Sequence, residues 1–186
     1  MFVLSRNNKK IINKLIWITG TGRTGTTIGG KLISSFKNVE YFYEPETIPS
    51  ILPMINKVDF PLWKIIFETY LIEDLFFNSL AGRSLNFNKN DDSFIYTSYS
   101  KKEIKKRLIL RTRRKNFFHK PQVQNKTILI KSLDSAKYLL KVQKKYPKIR
   151  FIFFKRNINS TLTSIIKKKW YYKNGYKSVH YPMVKK

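Results

Sequence analysis

The chain of 186 residues has the size of one domain and is too short for two comfortable ones, so residues 1–186 read as a single unit. Its 42% hydrophobic and 15% aromatic content excludes a disordered basic tail, and the complete lack of cysteine excludes disulfides, thiolate metal sites and a cysteine nucleophile together. A net charge of +27 favours an anionic partner, nucleic acid included, while the abundance of lysine beside isoleucine and asparagine is equally what an AT-biased genome gives.

The N-terminal stretch MFVLSRNNKKIINKLIWITG has no clean apolar run ending in a small-residue cleavage site, and no segment approaches the uncharged apolar length of a membrane span. The expectation is a soluble, cytoplasmic protein, in keeping with its lack of cysteine. With only His119 and His180, in no helical ligand spacing, no metal is expected.

Residues 15–19 are short, apolar and rich in β-branched side chains and run at once into glycine, as a buried strand entering a loop does. Beyond the loop, Ile28, Leu32, Ile33 and Phe36 are spaced for one helical face, and residues 39–43 read as a second strand ended by Pro45. Residues 49–80 alternate lone charges with apolar clusters that include Trp63, Ile66, Phe67, Tyr70, Leu71, Leu75 and Phe76, a helical spacing. Residues 81–93 are dense in turn formers and predict an ordered loop, and residues 100–120 predict a basic helix. A strand at 127–130 follows, then a helix over 132–146 with Leu133, Ala136, Leu139, Leu140 and Gln143 on one face and Pro147 at its end. A strand at 149–154 and a helix over 159–170 complete the order. Strands alternating with helices imply parallel pairing, hence an α/β three-layer sandwich around a central parallel sheet.

The most informative residues are Gly20-Thr-Gly-Arg-Thr-Gly-Thr-Thr27, between a strand and a helix, where backbone N–H groups and the helix dipole together hold an anion. A nucleotide triphosphatase loop needs lysine directly after its last glycine, and Thr26 stands there. Gly20, Gly22 and Gly25 supply a dinucleotide-type G-x-G-x-x-G, with Glu40 at the distance of a ribose-binding acid. Arg23 and the Thr26-Thr27 pair favour a third reading. The pattern resembles the 5′-phosphosulfate loop of the sulfotransferase family, in which a basic residue precedes Ser/Thr-Gly-Thr/Ser-Thr.

That resemblance implies a P-loop-like sulfotransferase fold with 3′-phosphoadenosine 5′-phosphosulfate (PAPS) as donor, held by Gly22, Arg23, Thr24, Gly25, Thr26 and Thr27, with Arg23 neutralising charge on the group in transfer. It also implies a second anion site for the donor's 3′-phosphate, and Arg156 and Ser164 have the family's spacing there, although Asn157-Ile158 replaces the common Asp-Pro. Tyr41-Phe-Tyr-Glu-Pro-Glu46 looks like the Tyr-Glu-Pro segment of carbohydrate sulfotransferases, whose glutamate takes the acceptor proton. The role carries to Glu44, with Glu46 as its rival.

Lys131 ends the strand 127–130 on the edge where such a sheet presents ligands, a position for touching the sulfuryl group or the leaving phosphate. Arg83 and Asn86, in the polar loop, are candidates for the acceptor side. The implied reaction is in-line displacement at sulfur by a hydroxyl, that of a carbohydrate, with no metal. Two other readings stand beside it: a P-loop nucleotide kinase or other NTP-binding enzyme, and a basic nucleic-acid-binding domain drawing on the run 111–115. The resemblance covers about residues 14–46 and 127–170. Many members continue well past the second anion site, so the expectation is a short or C-terminally truncated domain, with residues 171–176 as a substitute or a stump.

Overall fold

Four apolar segments rich in β-branched and aromatic residues build one sheet. β1 (Ile16–Gly20), β2 (Val39–Tyr43), β3 (Thr127–Lys131) and β4 (Arg150–Phe154) pair in the order β2-β3-β1-β4, all parallel. The computed structural model describes residues 6–109, 121–133, 135–168, 171–172 and 175–176. A short antiparallel pair, β5 (Tyr171–Tyr172) with β6 (Gly175–Tyr176), lies outside the main sheet. The tail of the basic helix at 110–120, with the run 111–115, falls outside the described residues, as do both histidines.

Helices flank the sheet. On one face, Trp17, Ile128, Ile130, Phe42 and Phe151 join a core completed by α1 (Arg6–Ile12), α3 (Ile48–Met54), α4 (Phe60–Thr69) and α8 (Ala136–Lys145). Its centre is aromatic: Phe67 stacks on Trp63 at 4.5 Å and on Trp17 at 6.3 Å, and the Trp63 indole N–H donates to the Ile51 carbonyl at 2.8 Å. Asp59 caps α4 by accepting from the Leu62 N–H at 3.2 Å. The helix then widens into a π-helical stretch, Tyr70–Phe77, before a last turn, α5 (Asn78–Leu80). The wider turn lets Leu71-Ile72 and Phe76-Phe77, five residues apart, all turn inward.

The opposite face carries α2 (Thr26–Ser34), and α9 (Ile158–Lys167) follows β4. Here the predicted helical face is overturned: Ile28, Leu32 and Phe36 are 68%, 65% and 69% exposed, while Thr26, Gly29, Gly30 and Ser34 are buried. The physical reason is the closeness of the approach. A Cβ on Gly29 would run into the Phe154 ring and one on Gly30 into the Tyr41 ring, so only glycine fits between α2 and the sheet. The face expected for the helix over 132–146 is also rotated: α8 buries Leu139 and Val142 and leaves Ala136, Leu140 and Gln143 outward. Helix α1, hidden in a polar basic stretch, buries Ile11 and Ile12. Among the described residues, no helix is long and apolar enough to cross a membrane.

The middle of the chain is fastened to β2 by charge. Arg107 of α6 (Lys101–Ile109) grips Glu40 with two nitrogens, at 2.6 and 3.1 Å, while the Ser79 hydroxyl donates at 2.6 Å and Lys126 at 3.1 Å. Burial pushes the Glu40 carboxyl up, and the Arg107 charge, with Lys126 and Ser79, more than reverses it, holding the group below its ordinary value of 4.5. A depressed folded-state value means that this contribution is complete above the ordinary carboxylate range and is lost as pH falls below it. Arg107→Met should therefore lower the unfolding free energy at pH 7 by about 3–5 kcal/mol in urea titrations, because Glu40 stays buried without its main partner. The double variant Glu40→Leu/Arg107→Met should recover most of that loss and soften the acid transition; a neutral single variant would refute this account.

Candidate active site

The strand ends meet at one edge of the sheet, and the glycine loop leaves β1 there. Gly25 caps α2 with φ +97°, a left-handed conformation that suits glycine, and having no side chain it leaves the first N–H groups of the helix without a cap from the N-cap position. Thr24 closes the loop on itself, its hydroxyl donating to the Thr21 carbonyl at 2.7 Å. The Thr24 side chain thus shapes the loop, whereas the Thr27 side chain lies by the Tyr43 phenol and offsets part of the upward push that burial gives it. Thr26, at the position where a nucleotide triphosphatase carries its lysine, is buried.

Arg23 is held at φ +70°, uncommon for a residue with a Cβ. Its Nε donates to the Ser164 hydroxyl at 2.9 Å, and its carbonyl accepts from Arg156 Nη1 at 3.3 Å. Residues 141 and 133 positions apart in the chain are thereby gathered into one cationic cluster. Asn157 does what an Asp-Pro turn would do at this point: its side chain accepts from the Ser160 N–H at 3.2 Å and starts α9 on the next residue. Ser164 consequently lies about one and two-thirds turns into that helix, within reach of Arg23.

A second group forms at the ends of β2 and β3. Glu44 has φ +41° and donates its backbone N–H to the Lys131 carbonyl at 2.8 Å. The Lys131 ammonium, buried, bonds the Glu44 carboxylate and lies 4.3 Å above the Tyr43 ring. Burial pulls the Lys131 amine below its usual value, and the Glu44 hydrogen bond and charge restore part of that. The Tyr43 phenol is pushed up by burial and by the Glu44 and Asp92 charges. Its hydroxyl donates to Asp92 at 3.2 Å, and Asp92 also accepts from Lys31 of α2 at 3.1 Å.

The candidate residues sort as follows. Arg23, Arg156 and Ser164 are brought together, as are Glu44 and Lys131; Glu46, the rival acid, is exposed. Glu40 is not placed to bind a ribose, because it is buried and occupied by Arg107. Asn86 is committed to its own loop, donating to Ser93 at 2.6 Å and accepting from the Asn88 N–H at 2.8 Å, and Arg83 is exposed. Tyr43 and Asp92 were not singled out from sequence. The alternation of β2, which puts Tyr41 and Tyr43 on the face of α2, held the signal for Tyr43; nothing local marked Asp92. Compared with known proteins, the chain matches no family model and no curated protein.

Lys131 and Glu44 form a pair that can be read by titration. Because the folded-state value of Lys131 is lowered, the folded protein gains stability as pH rises from that value towards the ordinary 10.5. Glu44→Gln removes the supporting charge, so Lys131 should titrate lower still by nitrogen-detected NMR, and stability at pH 7 should drop by about 1–3 kcal/mol. An unmoved Lys131 midpoint would show that the two groups do not sense each other in solution.

Proposed function

We propose that the chain is a sulfotransferase with a P-loop-like sulfotransferase fold, moving the sulfuryl group of PAPS to a hydroxyl of a carbohydrate acceptor. The observation that carries this reading is the contact of Arg23 with Ser164 and of its carbonyl with Arg156. A donor with two separated anionic groups needs two anion sites at a fixed distance, and two segments chosen from sequence for those separate roles touch. A parallel sheet of order β2-β3-β1-β4 with a glycine loop after β1 supports the same frame.

In this reading the loop amides, Thr26 and Thr27 hold the phosphosulfate, and Arg156 with Ser164 holds the 3′-phosphate. Lys131 ends the strand that lies between β2, which Glu44 follows, and β1 with its loop. An anion at the loop gives Lys131 a second partner, which loosens its hold on Glu44. Glu44 then accepts the proton of the acceptor hydroxyl as its oxygen attacks sulfur. The bond from sulfur to the phosphate oxygen breaks, its electron pair stays on 3′,5′-adenosine bisphosphate, and Arg23, Lys131 and the loop amides stabilise that charge.

Titration calorimetry tests the donor site. Metal-free 3′,5′-adenosine bisphosphate should bind, and Arg23→Ala and Arg156→Ala should each weaken it by about 10- to 100-fold, the worth of a charged hydrogen bond. Glu44→Gln should keep that binding while sulfuryl transfer falls by about 10²- to 10⁴-fold. Binding of magnesium ATP alone would favour a P-loop kinase instead, and salt-dependent nucleic-acid binding indifferent to Arg23 would favour the third reading.

A further inference from the structure

The polar loop after α5 is folded by its own side chains and docked at the candidate active site. The Asp91 carboxylate accepts from the Ser93 N–H and hydroxyl, both at 2.7 Å, and the Ile95 N–H donates to the Asn86 carbonyl at 2.8 Å. Asp92 fastens this unit to Lys31 on α2 and to Tyr43, the residue before the candidate base. Ordered loops bury their apolar side chains where they can, yet Phe87 and Tyr96 are 46% and 41% exposed. The two rings meet edge to face at 6.1 Å, and Phe94 backs Tyr96 at 5.3 Å.

The charge of this loop is as unusual as its rings. Over residues 82–98, Arg83 and Lys89 are balanced by Asp91 and Asp92, in a chain whose net charge is +27. The loop therefore offers a neutral aromatic surface, flanked by the exposed amides of Asn88 and Asn90, inside a cationic protein. An anionic glycan gains nothing from such a patch and is drawn to the lysine-rich surface elsewhere. An uncharged sugar is suited to it, since its C–H faces pack on rings while its hydroxyls meet amides and water.

We propose that Phe87, Phe94 and Tyr96 are the acceptor platform and that the acceptor is an uncharged carbohydrate. This rests on the sulfotransferase reading and specifies its substrate class. The test is binding of cellopentaose, chitopentaose and laminaripentaose, against chondroitin as the anionic counterpart, by calorimetry on the full chain saturated with 3′,5′-adenosine bisphosphate. At least one neutral oligosaccharide should bind; Phe87→Ala and Tyr96→Ala should each weaken it about tenfold, and Phe87→Trp should preserve it, with bisphosphate affinity and melting temperature unchanged in all three. Asp92→Ala, which undocks the loop, should abolish sugar binding and spare the bisphosphate. Bisphosphate binding with no neutral sugar bound, with chondroitin preferred, or with sugar binding indifferent to both alanine variants overturns the platform and leaves the donor site standing. Failure of the bisphosphate itself to bind overturns the sulfotransferase reading and this inference with it.

Discussion

The candidate site depends on how closely α2 lies against the sheet. Gly29 and Gly30 let the helix settle on the Phe154 and Tyr41 rings, where any side chain would hold it off. Seated there, the start of the helix comes level with the ends of β1 and β2, so Thr27 meets Tyr43 and Lys31 meets Asp92. Two glycines inside a nine-residue helix cost about 1 kcal/mol each in propensity. The fold accepts that penalty to place a row of backbone N–H groups beside two strand ends.

The same contact explains what the sequence revealed and what it concealed. Strand positions were legible because each is a compact apolar run ended by glycine, proline or a charge, and the order of elements followed from their alternation. The direction in which α2 faces was not legible, because the apolar spacing of Ile28, Leu32 and Phe36 marks the outer side, and the inner side is defined by residues with almost no side chain. Periodicity assumes that what is buried is large. Helix α1 was missed for a related reason, since two adjacent isoleucines in a basic segment carry no period. The candidate residues stood out as motifs, whereas their mutual contacts depend on strand order, which no local pattern encodes. Tyr43 and Asp92 acquire their roles only through that order.

Arg23 and Glu44 share a property that ties local structure to chemistry. Both have positive φ, at 70° and 41°, and neither is glycine. Such positions cost on the order of 1–3 kcal/mol and persist where the surroundings over-determine them. For Arg23 the surroundings are Ser164 and Arg156; for Glu44 they are the Lys131 carbonyl and ammonium. Under the proposed function, these two strained positions are the ones that would act on the transferred group and on the acceptor proton.

The buried cluster on Glu40 bears on how the chain reaches this state. Its members, Glu40, Ser79, Arg107 and Lys126, span 86 residues, and β2 is an edge strand joined to the sheet only through β3. Each carboxylate contact closes a long loop, and the entropy of closure must be met before the low dielectric strengthens the bonds. The contacts that seal the second strand therefore need α5, α6 and the segment before β3 in place, non-local pairings of the kind that slow folding. A growing chain released before residue 127 lacks both Lys126's neighbouring strand and the shelf on which β2 rests, so the glycine loop is complete as sequence well before the strand ends beside it are assembled.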